Sequence, residues 1–351
     1  MITIKEIAKK ANVSRGTVDR VIHNRKGVKP EVEALVKAII DQLEYKTNSA
    51  GKLLATKKKP ITIGCVVPSI GNDFFLNLIS GFNAAYKKYS DYGLTIKVKS
   101  IKAYRAEEHL NEIKKMIASG IDALLVTTII DPCIIRCLNE NIDKGLHVAC
   151  VNTDLPTSKR LFYVGPDYYL SGKTSAGVLT LMSKSKQNIL IITGSSSMYG
   201  HNERIRGFLD TLEDKGIDYN VEKIMEVEDD EETAYIESSN FLKKHKNEIT
   251  TIYIVAGGVH GTCKAIKELY LDKISNTYIN RPYVLTFDRC LQTNDFIIDG
   301  TIDATIGQQP FSQGYKSISK MFHYLAFNHE ESYINDEIMD ARLIIKENAL
   351  F

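Results

Sequence analysis

The chain of 351 residues contains no run of 18 apolar residues, so no segment reads as a membrane-spanning helix. Its opening, MITIKEIAKK, lacks the apolar core of a signal peptide, and the expectation is a cytoplasmic protein with no membrane partner. Cysteine is sparse. The six residues (65, 133, 137, 150, 263 and 290) lie mostly in apolar runs, where reduced core thiols are expected. Cys133 and Cys137 stand four apart, too wide for a thiolate pair and without further ligands, so no metal site is expected. The eight histidines are scattered, with no His-x-x-x-His pair. GGVHGTCK (257–264) lacks the adjacent Gly-Lys-Ser/Thr of a phosphate loop, and GSSSMYG (194–200) lacks the Gly-x-Ser-x-Gly of a nucleophile turn. These absences leave neither a catalytic constellation nor a cofactor, and the expectation is a protein that is not an enzyme. What remains is a globular composition, 44% hydrophobic and 25% charged, long enough for two or three domains.

The charge that is present is unevenly placed. Residues 1–60 hold 14 Lys and Arg against 6 Asp and Glu, a net +8, while the remainder holds 31 against 37, a net −6. A small basic head on a mildly acidic body suggests that the head meets a polyanion. Within the head, Thr3 and Glu6 form a capping box that opens a helix near Ile4, striped by Ile4, Ile7, Ala8 and Ala11. Asn12 turns the chain, and Ser14 is a good N-cap for a second helix running to about His23. On that helix Val18, Val21 and Ile22 share one face, and Arg15, Gly16, Asp19 and Arg20 fall largely on the other. Pro30 opens a third helix striped by Val32, Leu35, Val36, Ile39 and Leu43. Two short helices across a tight turn, packed on a third, form a helix-turn-helix whose second helix enters the major groove of double-stranded DNA.

TIKEIAKKANVSRGTVDRVIHN and LEYKTNSAGKLLATKKK resemble the head of the LacI/GalR (lactose repressor) family. The resemblance implies that Arg15 and Gly16 take the base-reading positions and that Thr17 and Arg20 anchor the backbone. Thr3, Ser14, Asn24, Asn48 and Lys52 complete the DNA-facing set it implies. Arg15 has the fork geometry for guanine, and Gly16 lets the helix lie close. Asp19 replaces the family's usual serine. It either holds Arg15 across one helical turn, accepts from a cytosine amino group, or makes a simple surface pair. Leu54 matches the leucine that wedges into the minor groove. Thr47 stands where the family has the proline that opens its hinge helix, and Gly51 weakens that helix further. Lys57, Lys58 and Lys59 read as a solvated linker that adds phosphate attraction.

From Ile61 short apolar runs alternate with amphipathic runs of helical length. ITIGCVV, LTIKV, ALLVTT and HVACV read as buried strands, and NILIIT, IYIVA and YVLTF repeat the scheme. Strands alternating with helices imply an α/β body of parallel sheets in two lobes of similar build, with a ligand beyond the strand C-termini. SIGNDFF, VNTDLPTSKRLFYVGPDYYLSG, NERIRGF, LTFD and IGQQPFSQGY are similar to the periplasmic-binding-protein type I domain of the same family, and especially to its ribose-binding-like members. The organisation implied is a DNA-binding head over 1–46, a hinge and linker over 47–60, and a two-lobed body over 61–351. The three crossings between lobes are expected near Leu161, Asp288 and Pro310, with lobe one about 61–161 and 289–310, and lobe two about 162–288 and 311–351.

The ligand contacts implied by the resemblance are Asn72, Phe74, Phe75, Asn152, Asp154, Asn202, Arg204, Asp288 and Gln308. Aromatic rings suit the apolar face of a sugar, although Phe74 and Phe75 also read as packing for the helix they open. Carboxylates and amides suit paired hydroxyls, while Arg204 also reads as half of a structural ion pair. Asn202 stands where ribose-type relatives carry arginine, and IVAGGVHG lacks their asparagine near Gly258, so the sugar itself is open. His201 and His260 read as surface or core histidines near the cleft. The acidic run EVEDDEE (226–232) reads as a solvated helix start that passes near the cleft rim. The reading is a transcription regulator, a repressor, whose operator affinity is set by a monosaccharide-like effector. It is expected to form a homodimer, since no heptad tail for a tetramer follows Leu343. A purine or other non-sugar corepressor is the alternative within the class. A solute-binding transport component and an enzyme with an attached DNA-binding domain are the more distant ones.

Overall fold

The computed structural model describes residues 4–22, 26–43, 59–70, 74–102, 105–272, 274–289 and 291–349. They fall into two compact units, Met1–Ala55 and Thr56–Phe351. The first holds α1 (Ile4–Lys10), α2 (Arg15–Ile22) and α3 (Pro30–Gln42). Asn12 takes the left-handed backbone, φ 52°, which its short amide tolerates and a tight turn between α1 and α2 requires. Ile7, Ala8, Ala11, Val18, Val21, Val36 and Ile39 form one core between the three helices. Most stripe residues pack as their spacing predicts. Leu35 is an exception: it is 49% exposed, because Val36 and Ile39 already occupy the face that α3 turns to the core.

The second unit contains two six-stranded sheets. In the first, β1 (Ile61–Ile70) lies between β2 (Leu94–Lys102) and β3 (Ala123–Val126), followed by β4 (His147–Val151) and β5 (Tyr163–Pro166). The helices between them are α4 (Phe74–Tyr89), α5 (Ala106–Ala118) and α6 (Pro132–Ile142). In the second sheet, β6 (Gln187–Thr193) lies between β7 (Tyr219–Glu226) and β8 (Thr251–Ile254), followed by β11 (Tyr283–Phe287) and β12 (Ala304–Gly307). Its helices are α7 (Tyr168–Met182), α8 (Tyr199–Asp214), α9 (Glu231–Lys244), α10 (Val259–Tyr270) and α11 (Leu291–Ile298), and β9 (Leu271–Asp272) and β10 (Thr277–Tyr278) form a small hairpin. All seven strands expected from apolar runs are present. β5, β7, β12 and the short β9, β10, β13 (Glu337–Met339) and β14 (Arg342–Ile344) were not expected; β7, for example, mostly alternates half-exposed with exposed residues at a sheet edge and so carries no continuous apolar run.

Alternation along the strands explains why both faces of the second sheet need helices. Leu190 and Ile192 of β6 point into one core with Ile252 and Ile254 of β8. Ile189 and Ile191 point the other way, into a second core with Tyr253, Val255 and Phe287. Each fully buried side chain of this size contributes roughly 1.5–3 kcal/mol, which favours covering both faces.

The lobe boundaries differ from those expected. β12 pairs in parallel with β11, so 289–307 belongs with the second sheet and Asp288 is no crossing. The long helix α12 (Pro310–Ala326) belongs to the first lobe instead. There Lys88 Nζ donates to Tyr315 Oη at 2.8 Å, and Tyr89 Oη shares a hydrogen bond with Ser319 Oγ at 2.9 Å. The chain crosses between β5 and α7, between β12 and α12, and again between β13 (Glu337–Met339), which pairs with β5, and β14 (Arg342–Ile344), which runs antiparallel to β12.

Each lobe is bound together by a helix pair in backbone contact. A Cβ at Gly81 of α4 would overlap the carbonyl of Phe311, and one at Gly314 of α12 would overlap that of Leu78. In the other lobe Gly172 of α7 meets the carbonyl of Arg204, and Gly207 of α8 meets that of Tyr169. The reciprocal glycine contacts hold α4 against α12 and α7 against α8, and they seat the first turns of α4 and α8 beside the strand C-termini.

Candidate functional site

The helix face comes first. Ser14 Oγ accepts from Thr17 N at 3.1 Å, which caps α2 and starts it at Arg15. Val18 and Val21 are buried beneath it. Arg15, Gly16 and Arg20 are exposed, and Thr17 and Asp19 are half-buried beside them. The capped, apolar side of α2 therefore packs, and its cationic side around a glycine faces outward. Thr3, Asn24, Thr47, Asn48, Lys52 and Leu54 lie outside the described residues.

The second feature is a cleft with about 520 Å³ of empty space, open on one side to solvent. Its wall is made where strands end and helices begin. Pro68 lies near the end of β1, Phe74 and Phe75 open α4, and Asn152 and Thr153 follow β4. Tyr168 opens α7, and His201 and Arg204 sit in the first turns of α8. Asp229 follows β7, Ala256 and Gly257 follow β8, Asp288 follows β11, and Gln308 follows β12. His109 of α5 and Met198 complete it. Three of these turns use left-handed backbone at Asn152 (φ 64°), Asp229 (φ 56°) and Asp288 (φ 72°), residue types whose short polar side chains tolerate it.

Arg204 is the centre of the cleft's electrostatics. It is 2% exposed, and its guanidinium carbon lies 3.7 Å from the centre of the Phe287 ring and 4.8 Å from that of Tyr168. Its Nη1 donates to the Val255 carbonyl, while Nε and Nη2 have no protein partner. Asp288 Oδ1 accepts from Gln308 Nε2, and Gln308 Oε1 has no protein partner. Burial pushes the Asp288 carboxyl up to about 6, against the pull of Arg204 and the Gln308 bond. His109 and His201 are both pushed down to about 4 by burial, so both are neutral at physiological pH. Asn152 Nδ2 donates to Gln313 Oε1 at 3.3 Å, and its carbonyl accepts from Tyr168 Oη at 2.8 Å and from Tyr163 Oη at 2.6 Å. Leaving a buried polar atom unpaired costs about 1–3 kcal/mol, and residues of this wall carry four such atoms, the fourth being His109 Nε2, a polar lining that suits a polar guest.

Six of the expected contacts come together here: Phe74, Phe75, Asn152, Arg204, Asp288 and Gln308. Phe74 and Phe75 meet edge to face, 5.1 Å between centres, and both open α4 and line the cleft. Asp154 does not line it. Its carboxylate is held by Arg160, which also grips Asp336 at 2.8 Å, and this bridge ties the loop after β4 to the segment before β13. Asn202 also points away; its Nδ2 donates to the Ser196 carbonyl at 2.8 Å. Arg204 has no carboxylate partner among the described ion pairs and takes the cleft position. Asn72 lies outside the described residues.

Sequence reasoning missed His109, Thr153, Tyr168, Met198 and Asp229, and read His201 as a surface or core residue. Asp229 accounts for the departure at 257–258. Its Oδ1 accepts from Gly257 N at 2.8 Å, and a side chain at Gly257 would overlap its carboxyl. The glycine makes room for an acidic group arriving from β7. Of the acidic run, Asp230 caps α9 through Thr233 N at 2.7 Å, so that part is a helix start as expected. His260 packs against Phe296, 5.5 Å between ring centres, and does not line the cleft.

No helix among the described residues is long and apolar enough to cross a membrane, and no group of three or more His, Cys, Asp or Glu among them is placed to hold a metal. Comparison with known proteins bears on both features. Residues 63–329 match the family described as "Periplasmic binding protein domain", and residues 3–48 match "Bacterial regulatory proteins, lacI family". Catabolite control protein A of Priestia megaterium is 23% identical over 217 residues, 62% of each chain. "Probable HTH-type transcriptional repressor ExuR" of Bacillus subtilis is 30% identical over 217 residues, 60% of each. The chain thus spans less than two thirds of the length of the curated relatives it matches. Among solved structures, GanP, a glucose-galactose binding protein from Geobacillus stearothermophilus, superposes with a TM-score of 0.72 at 26% identity, over 83% of this chain and 99% of that one.

Proposed function

Since the chain belongs to the periplasmic binding protein domain family over 63–329 and carries a lacI-family head over 3–48, we propose that it is a DNA-binding transcription regulator, a repressor, whose operator affinity is set by a sugar-like effector in the cleft. One observation carries this reading. A single chain joins a capped helix that turns Arg15, Gly16 and Arg20 outward to a cleft whose buried donors and acceptors wait for a polar guest. The outward face suits the major groove, with Arg15 aimed at a guanine and Arg20 at phosphate. Lys59 adds to the attraction, and Leu54 is the proposed minor-groove wedge. In the cleft, Phe74 and Phe75 offer rings to the apolar face of a sugar, while Asp288, Gln308, Asn152 and Arg204 offer acceptors and donors to its hydroxyls. The similarity to a glucose-galactose binding protein supports the sugar class. The chain works as a cytoplasmic homodimer on a near-palindromic operator.

Control follows from linkage. The lobes are joined by three chain crossings, so a ligand that touches both walls favours one lobe arrangement, and DNA affinity shifts by the same coupling free energy. The test is fluorescence anisotropy on the DNA upstream of the protein's own gene, with and without a panel of monosaccharides and purines. Tight binding that one monosaccharide weakens is the expected result. Binding that only a purine strengthens would replace the sugar by a corepressor, and no binding to any DNA would defeat the regulator reading.

A further inference from the structure

His109 is out of place on its own helix. It shares the stripe of α5 with Ile113 and Met116, both buried in the lobe-one core, and a leucine there would extend that core. Instead the imidazole is buried to 1% exposure and lines the cleft. One ring nitrogen is held: Nδ1 lies 2.7 Å from Thr128 Oγ1, just beyond the end of β3, which fixes the ring plane. The other, Nε2, is buried without a hydrogen-bond partner. Buried polar atoms are ordinarily paired, and this one is left without a side-chain partner in a residue that lines the cleft.

We propose that His109 is an effector-contacting residue of the first lobe, whose Nε2 meets a hydroxyl of an uncharged polyhydroxy ligand. The proposal rests on the sugar reading of the cleft and narrows it. Lobe two carries the acidic and basic side chains of the lining: Arg204, Asp229 and Asp288. One cation against two carboxylates leaves no surplus positive charge for a phosphoryl or carboxylate group, among the described residues. A second cation at His109 would change that balance, but burial disfavours its charged form and outweighs the pull of Glu108 and of the Lys102 backbone. Opposite the charged wall, lobe one offers His109, Asn152 and Thr153, which are neutral and exchange hydrogen bonds with hydroxyls without adding charge. His109 thereby lets the first lobe contact the ligand directly.

The experiment uses the full chain. Calorimetric titration and thermal shift are run with D-ribose, D-arabinose, D-xylose, D-glucose and D-galactose, and with D-ribose 5-phosphate, D-glucose 6-phosphate and D-galacturonate as charged counterparts. At least one neutral sugar binds, and its charged counterpart binds at least ~10-fold more weakly, a difference of about 1.4 kcal/mol. His109→Leu weakens the neutral sugar by a similar factor, while the melting temperature without ligand holds or rises, because an unpaired polar atom has been removed. His109→Gln, which keeps a hydrogen-bonding amide, recovers part of the affinity and serves if the leucine variant does not fold. Wild-type affinity in both variants would overturn the proposal alone, as would tighter binding of a charged counterpart. A drop in unliganded melting temperature with sugar affinity retained would reduce His109 to a packing residue. If no neutral sugar binds the wild-type chain, the sugar reading fails and this proposal falls with it.

Discussion

Asp288 is the residue where the cleft's function and the chain's stability pull apart. Its carboxyl sits near 6 in the fold against an ordinary 3.8. Between those values the folded chain holds a proton that the unfolded chain has lost. Stability without ligand therefore falls as pH rises through about 4 to 6. Asp288→Asn keeps the acceptor for Gln308 and removes the charge. At pH 7.5 it is expected to stabilise the ligand-free protein by up to about 3 kcal/mol, at roughly 1.4 kcal/mol per pKa unit, and the gain should vanish near pH 4. Chemical denaturation at the two pH values reads this, and equal gains at both would show that Asp288 is not held up by burial. The wild-type protein should also bind its sugar more weakly below pH 6, where the carboxylate is lost. Arg15 is a residue of the opposite kind, exposed on α2. Arg15→Ala is expected to relax base preference at one operator position by about 1–3 kcal/mol while leaving stability unchanged. Selection of operators from a random pool checks this, and an unaltered preference would remove Arg15 from the reading set.

At the scale of elements, helices α7 and α8 decide where Arg204 sits. They approach through Gly172 and Gly207, each against a carbonyl of the other helix. Gly207→Ala must push the helices apart, at a cost of about 1–3 kcal/mol, and it displaces the turn that carries His201 and Arg204. Both melting temperature and sugar affinity should fall. Gly177 is the internal control: it lies on α7, and a Cβ there meets nothing within 4 Å. Gly177→Ala should gain about 0.5–1 kcal/mol from helix propensity, with sugar affinity unchanged. A thermal melt of the pair decides the matter, since equal effects at both positions would mean that the close approach is unimportant. Helix α2 shows the same link between local chemistry and placement. Ser14 caps it and fixes its start at Arg15, while burial of Val18 and Val21 sets the side that carries Arg15 outward.

At the scale of the whole molecule, the two units are expected to share one coupling free energy. If a sugar lowers operator affinity by some factor, operator DNA must lower sugar affinity by the same factor. Titrating the sugar with and without a saturating operator duplex measures it directly, and unequal factors would mean that a further species binds. Much of this organisation is legible in the order of residues alone. The head's stripe, its caps and its turn are local, encoded within three or four residues of one another, and α1 to α3 lie where the spacing predicts them. The apolar runs of the body announce seven strands, and the family resemblance implies Phe74, Phe75, Asn152, Asp288 and Gln308, each of which stands at a strand end or helix start. His109 is not, for its spacing is that of a core residue and its partner Thr128 arrives from another element. Asp154 misleads for a similar reason: it follows a strand as a ligand residue should, yet Arg160, which also grips Asp336, takes its carboxylate in the fold. The sequence by itself determined the main elements and the charged head, because periodicity, capping and charge are properties of neighbours along the chain, while the expected cleft residues came from the family resemblance. Only the tertiary structure decided that α12 joins the first lobe, that Asp229 fills the space over Gly257, and that His109 lines the cleft with one ring nitrogen unpaired. Those outcomes depend on the close packing of residues tens to hundreds of positions apart, where a fit of a single atom settles which partner is met.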